Sequence, residues 1–164
     1  MALTTVRDCP CHSGRRYAAC CAPYHRGEAD APAPGALMRS RYAAFALNLG
    51  PYLYRTLAAG HPDRASSEAE FVLELARGRR PLRYVGLSLL HEMAAGDAGE
   101  VLFYARIFEK GQSRSFAELS AFAREGGGWR YESGVLLPEA ALPADVGSLT
   151  REGFLALAAT PPPA

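Results

Sequence analysis

Absences bound this sequence before any motif does. No cysteine follows Cys21 in 164 residues, so nothing beyond the first stretch offers a disulfide partner or a soft metal ligand. The opening MALTTVRDCPC lacks the apolar run of roughly 7–15 residues that a secretory signal needs. No later segment nears the ~20 uninterrupted apolar residues of a membrane span. The expectation is a cytoplasmic protein with no membrane partner, in surroundings too reducing for disulfides. A formal net charge of only +1 makes a weak electrostatic footprint for nucleic acid. There is no phosphate-binding glycine loop and no nucleophile-elbow string. The aspartates Asp8, Asp30, Asp63, Asp97 and Asp145 all fall in turns or loops, so strand-borne acid–base chemistry is short of parts. With 49% apolar residues, the chain can still bury one core and carry a small appendage.

What is present is concentrated near the start. In CPCHSGRRYAACC, Cys9 and Cys11 form one close pair and Cys20 and Cys21 another. Zinc takes soft, deprotonated ligands at the corners of a tetrahedron, and two short pairs joined by a tight loop can provide them. A disulfide within either pair would be strained. Four thiolates leave no open coordination position, so the expected cofactor is a structural Zn²⁺ held by Cys9, Cys11, Cys20 and Cys21. The centre's net negative charge would offset the arginine excess around it, Arg7, Arg15, Arg16, Arg26, Arg39 and Arg41 against Asp8, Glu28 and Asp30. His12 and His25 lie close enough to compete as ligands. With four thiolates available, both read as solvent-facing.

Downstream, the spacing predicts helices first and strands second. Gly27 to Ala36 is small, Pro-rich and aperiodic, which marks a linker. Met38, Tyr42, Phe45 and Leu49 recur on one helical face, ended by Asn48, Gly50 and Pro51. A second short helix carries Tyr52, Leu53, Thr56 and Leu57, and a third, capped by Ser66 or Ser67, carries Phe71, Val72 and Leu75. From Leu82 the period becomes two, with Val85, Leu87 and Leu89 on one face and Tyr84, Ser88 and Glu92 on the other. Turns at Gly96–Gly99, Lys110–Ser113 and Gly126–Gly128 then divide an antiparallel meander of about four strands, an α+β order. After Leu136, Ser148 and Thr150 are candidate caps for a tail helix whose Leu149, Phe154, Leu157 and Ala158 suit packing on the sheet or on a second subunit. Pro161 to Ala164 read as disordered.

The cysteine string resembles the SEC-C zinc motif, CPCGSGxxYxxCC or CH, known from the tail of the translocase ATPase SecA and from small bacterial proteins. Leu37 to Phe45, LMRSRYAAF, resembles the helix that follows this motif in the YchJ-like family of uncharacterised bacterial proteins. His61-Pro62, Ala105-Arg106, Glu118, Ser120 with Phe122, and Trp129-x-Tyr131 continue the likeness over residues 8 to 134. Two departures stand out: His12 replaces the motif's glycine, and no second SEC-C motif is found. The resemblance implies a nuclear transport factor 2-like cone, three helices and then a curved sheet. The expected organisation is a zinc knuckle over 1–26, a linker over 27–36, the cone over 37–136 and an extension over 137–164.

Such a cone has a cavity at its open end, where any ligand or reaction would be housed. The polar residues expected to line it are Tyr42, His61, His91, Arg106, Glu118 and Ser120, with Arg106 and Glu118 as a structural ion pair. The function read from these features is a non-catalytic zinc-binding protein, a module that presents Arg15, Arg16, Tyr17 and Tyr24 to another protein. One alternative is a small-molecule-binding or acid–base enzyme, isomerase- or dehydratase-like, using His91 with Tyr42 or Tyr104. A second is a nucleic-acid-binding knuckle protein.

Overall fold

The chain passes from coil to helix at Pro34, where proline at the first helical position forfeits only an N–H that would be unpaired anyway. In the computed structural model, which describes residues 7–160, a short helix α1 (Ala22–His25) comes after the last cysteine. The main helix α2 (Pro34–Leu47) is next. Asn48 ends it in the left-handed conformation, φ 59°, a position that asparagine tolerates well. Two further helices, α3 (Gly50–Arg55) and α4 (Glu68–Arg77), complete the layer. At α4 the cap is Ser67, whose Oγ accepts from Glu70 N–H at 3.2 Å while Glu70 Oε2 accepts from Ser67 N–H at 3.1 Å, a reciprocal capping box. Of the expected linker, residues 34–36 are helical and Ala31, Pro34 and Gly35 are buried, so this stretch packs on the core.

The sheet consists of β1 (Leu82–Ala95), β2 (Ala98–Glu109), a two-residue β3 (Gln112–Ser113), β4 (Phe116–Glu125) and β5 (Gly128–Pro138). The long strands run antiparallel in the order β1-β2-β4-β5, with β3 on the end of β2. The inner face, toward α2, gathers Leu87, Val101, Phe103, Ala105, Ile107, Phe122 and Trp129 against Leu37, Met38 and Tyr42. Gly99 sits where a Cβ would collide with the ring of Pro34 and stand 2.9 Å from Trp129 Cζ3. Glycine there lets the helix start seat against β2.

Two bulges correct the face assignment read from the alternation on β1. The register shifts between Tyr84 and Gly86 and again between Leu89 and His91. Each extra residue reverses the parity of the strand beyond it. Tyr84, Leu87, Leu89 and Glu92 consequently share the inner face, opposite Ile107, Ala105, Phe103 and Val101. Glu92 uses that position to accept the Gly35 N–H at 2.7 Å, placing a carboxylate at the start of α2 where the helix dipole favours it.

The tail covers part of the outer face. Thr150 Oγ1 accepts from Gly153 N–H at 3.0 Å and starts α5 (Arg151–Ala159). Phe154, 0% exposed, joins Leu149 over Leu102, Ala117 and Leu119. The tail therefore docks on its own sheet, aided by an Arg151–Glu100 ion pair. The stretch 161–164, expected to be disordered, lies outside the described residues. Replacing Phe154 with Ala is predicted to cost about 3 kcal/mol of stability in urea unfolding, the range for removing a fully buried aromatic ring. A loss under about 1 kcal/mol would contradict the docking.

Candidate metal centre and cone cavity

The cysteine loop is shaped by its own backbone. Cys9 N–H donates to Arg15 O at 2.8 Å and His12 N–H to Cys9 O at 3.1 Å, closing a tight turn after the first pair. His12 adopts φ 60°, the left-handed region, at the position where the SEC-C pattern has glycine. Its side chain has a use of its own, because His12 Nε2–H donates to Tyr84 O on β1 at 3.0 Å. The ring also stands edge-on to Tyr42 at 5.9 Å.

One ligand atom from each of Cys9, Cys11, Cys20 and Cys21 falls within 4.8 Å of all the others. Sγ of Cys11 lies 3.6 Å from that of Cys20, which lies 3.9 Å from that of Cys21. Four sulfurs bound at about 2.3 Å around one tetrahedral ion stand about 3.8 Å apart, so the spacing fits a thiolate-held metal ion. Cys9, Cys11 and Cys21 are buried, at 4%, 0% and 1% exposure. As bare thiols these groups do not ionise together. Hydrogen bonds from Cys21 and Cys9 hold Cys11 far below the usual thiol range, while the bond to Cys11 pushes Cys9 up to about 11 and Cys21 higher still. A divalent cation would reverse that order by favouring every thiolate at once. Ser13 Oγ, 3.2 Å from Cys20 Sγ, adds a polar contact behind the ligands.

The cysteine element is fastened to α2. Its three buried sulfurs pack on Ala43. Arg39 Nη1 donates to Cys11 O at 3.0 Å. His25 is half-buried rather than solvent-facing: Nε2–H donates to Ser40 O at 2.8 Å, and Nδ1 accepts from the Tyr17 hydroxyl at 2.6 Å. Burial pushes its pKa down, in keeping with that neutral tautomer. Arg55 Nη2 reaches Tyr24 O at 3.3 Å and His25 O at 3.2 Å from α3. Of the expected interaction face, Tyr17 is tied to His25 and Tyr24 packs beside Tyr52 and Leu53, whereas Arg15 and Arg16 stay exposed.

Between α2 and the inner sheet face lies a cavity of about 490 Å³ with apolar walls that include Phe45, Phe71, Leu75, Phe103, Ile107 and Phe116. Of the residues expected there, Tyr42, His61, Glu118 and Ser120 line it. Tyr42 OH is spent on Gly86 O at 2.9 Å, and burial pushes its pKa up to about 12. His61 Nδ1 accepts from Asp63 N–H at 3.1 Å, and Asp63 joins the lining from its loop. Glu118 Oε1 accepts from both Ser120 Oγ at 2.9 Å and Tyr131 OH at 2.7 Å. At Gly134, opposite Ser120 on β5, a Cβ would collide with Glu118 Oε1, so the absent side chain makes room for the carboxylate.

His91 and Arg106 do not line this cavity. The bulge at Leu90 turns His91 to the outer face, opposite Leu102, with Nε2 3.3 Å from Glu100 Oε1. Arg106 pairs with Gly86 on the outer side of β2 and is exposed, so the expected Arg106–Glu118 ion pair does not form. Tyr104 also points outward, its hydroxyl 3.4 Å from Glu139 Oε1. Neither His91 nor Tyr104 therefore makes an acid–base pair with Tyr42.

The buried arginine is instead Arg41 of α2, at 8% exposure. Its Nη1 donates to Leu53 O at 2.8 Å and to Thr56 Oγ1 at 2.6 Å, and its guanidinium carbon lies 4.8 Å above the Tyr131 ring. Burial pulls its pKa down to about 10, which leaves it charged at neutral pH. Burial also raises the Tyr131 hydroxyl, with the neighbouring Glu118 carboxylate adding to the effect. The signal for Arg41 is its position, three residues after Met38 and four before Phe45, within the apolar face of α2.

Fold and cysteine cluster together define a nuclear transport factor 2-like α+β domain preceded by a SEC-C element. Residues 33–134 match the family model of the YchJ middle NTF2-like domain, and residues 8–23 match the SEC-C motif. A UPF0225 protein of Deinococcus radiodurans is 46% identical over 126 residues, 76% of this chain and 86% of that protein. The UPF0225 protein YchJ of Shigella dysenteriae is 38% identical over 77% of this chain and 81% of its own. The solution structure of a SEC-C motif containing protein from Rhodopseudomonas palustris superposes with a TM-score of 0.65 at 31% identity, covering 79% of this chain and 98% of that one. The chain belongs to the YchJ-like, UPF0225 family. No helix among the described residues is long and apolar enough to cross a membrane.

The left-handed His12 makes a sharp prediction. His12→Gly and His12→Ala both remove the bond to Tyr84, but only alanine keeps the left-handed strain. His12→Ala is therefore expected to be the less stable of the two by about 1 kcal/mol in thermal or urea unfolding. Equal stabilities would contradict the strain.

Proposed function

We propose that the protein is a non-catalytic binding module whose four cysteines hold one structural Zn²⁺. The observation that carries this reading is the mutual reach of four sulfurs, three of them buried, in an element bonded to its own domain through Ala43, Ser40, Arg39 and Tyr84. A full thiolate set has no open position for substrate or activated water, so the ion's work is to hold the amino-terminal segment on α2. Purified under reducing conditions, the chain is expected to carry about one zinc per molecule by elemental analysis. Cys11→Ser is expected to lose the ion and the amide exchange protection of residues 9–25, while β2 and β4 keep theirs. Wild-type chain without bound metal, or a variant with unchanged protection, would contradict the reading.

The module's partner on this reading is another protein, met by the exposed arginines of the knuckle. The SEC-C resemblance supports this, because in SecA that element engages partner proteins. With the Tyr17 hydroxyl bonded to His25 and Tyr24 packed by Tyr52 and Leu53, the contact face narrows to Arg15 and Arg16. Charge reversal at both positions is expected to abolish partner capture with the zinc content unchanged. Partner sets identical to wild type would contradict the role of this face.

A second reading is favoured by the cavity: a pocket of about 490 Å³ with apolar walls and converging polar groups has the dimensions of a small-molecule site.

A further inference from the structure

We infer that the cone cavity receives a small carboxylic acid with an apolar body and an amino or hydroxyl donor near the acid, its carboxylate on Arg41 and its donor on Glu118. This deepens the reading of the cone as a small-molecule site and rests on it. One buried cation, Arg41, and two carboxylates, Glu118 and Asp63, line one apolar cavity, and among the described residues no carboxylate oxygen lies within 4.0 Å of an Arg41 nitrogen. Arg41 spends Nη1 on Leu53 O and Thr56 Oγ1, and its Nε and Nη2 have no acceptor among the described residues. A buried guanidinium with a free planar pair of N–H groups is a receptor for a carboxylate, which it can grip through two parallel bonds.

Glu118 offers the complementary end. Ser120 and Tyr131 both donate to Oε1, which fixes the carboxylate and leaves Oε2 without a donor among the described residues. The two ends are held in relation by one side chain. The Tyr131 ring lies under Arg41 at 4.8 Å while its hydroxyl donates to Glu118 at 2.7 Å. Tyr131 is itself pinned, its N–H donating to Thr56 O and its O accepting from Ala58 N–H, each at 2.8 Å. Cation and anion thus stand at the face and at the hydroxyl end of one ring. A short link carrying acid and donor bridges them, and the apolar body fills the space lined by Phe45, Phe71, Phe103 and Phe116. A plain hydrocarbon would leave both charges desolvated and unpaired. An amine without an acid would leave Arg41 so.

Four probes with one common ring test this on ¹⁵N-labelled full chain, by amide shift titration: phenylalanine, 3-phenyllactate, 3-phenylpropionate and 2-phenylethylamine. Phenylalanine and 3-phenyllactate are expected to shift amides of α2, β4 and β5, binding about tenfold tighter than 2-phenylethylamine, with 3-phenylpropionate in between. Arg41→Lys is expected to weaken the two bifunctional acids about tenfold. Glu118→Gln keeps the acceptor for Tyr131 and Ser120 but removes the charge, and is expected to weaken phenylalanine more than 3-phenyllactate. The amide spectrum reports whether each variant is folded, and the Gln variant keeps the test open if the Lys variant is not. If 2-phenylethylamine binds as tightly as the acids, or if a folded variant leaves every affinity unchanged, the ligand class is wrong while the cavity remains a binding site. If no probe shifts any amide up to its solubility limit, the small-molecule reading fails and this inference with it.

Discussion

Helix α2 has no broad solvent face, and that constraint organises the rest of the molecule. The cysteine element sits over Ala43, α3 packs by Ala44, the inner sheet face meets Leu37, Met38 and Tyr42, and the cavity begins at Arg41. A helix contacted from so many sides needs small residues where neighbours approach and polar residues only where partners wait. Gly35, Ser40, Ala43 and Ala44 meet the first need. Ser40 meets the second too, its hydroxyl donating to Leu37 O at 2.8 Å and lying 2.6 Å from Tyr52 OH. The cysteine element therefore reinforces a helix that also carries the cavity's cation, and the two halves of the chain share one structural support.

The sheet serves two interiors at once. Its inner face is cut by polar residues at Glu118 and Ser120 and by the missing side chain of Gly134, which is where the cavity lies. Its outer face is covered in part by the tail through Leu149 and Phe154, with Glu100, Arg151 and His91 gathered beside that contact. Because apolar side chains are needed on both faces, β2 reads as Val-Leu-Phe-Tyr-Ala-Arg-Ile-Phe with no dominant alternation.

That double burial explains what is legible in the residues and what is not. The cysteine spacing, the helix caps at Asn48, Ser67 and Thr150, and the glycine turns are local signals, and each is found where its chemistry requires. The faces of β1 and β2 are not local. A bulge leaves no mark in the sequence, and the one at Leu90 alone transfers His91 from the side of Leu87 and Leu89 to the opposite face. Tyr104 and Phe108 flank Arg106 and suggest an inward position for it, but those neighbours share its outer face beside the inward Ala105 and Ile107. Arg41 lies in plain sight on the apolar stripe of α2. Arginine is buried so seldom that its type outweighs its spacing when the residues are read alone.

The central claim is that four sulfurs of the amino-terminal element share one ion and lock it onto α2. X-ray absorption at the zinc edge on the reduced, purified chain tests this most directly. Four sulfur scatterers at about 2.3 Å, with no lighter neighbour in the first shell, is the predicted result. A first shell containing nitrogen or oxygen, or fewer than four sulfurs, would contradict the account.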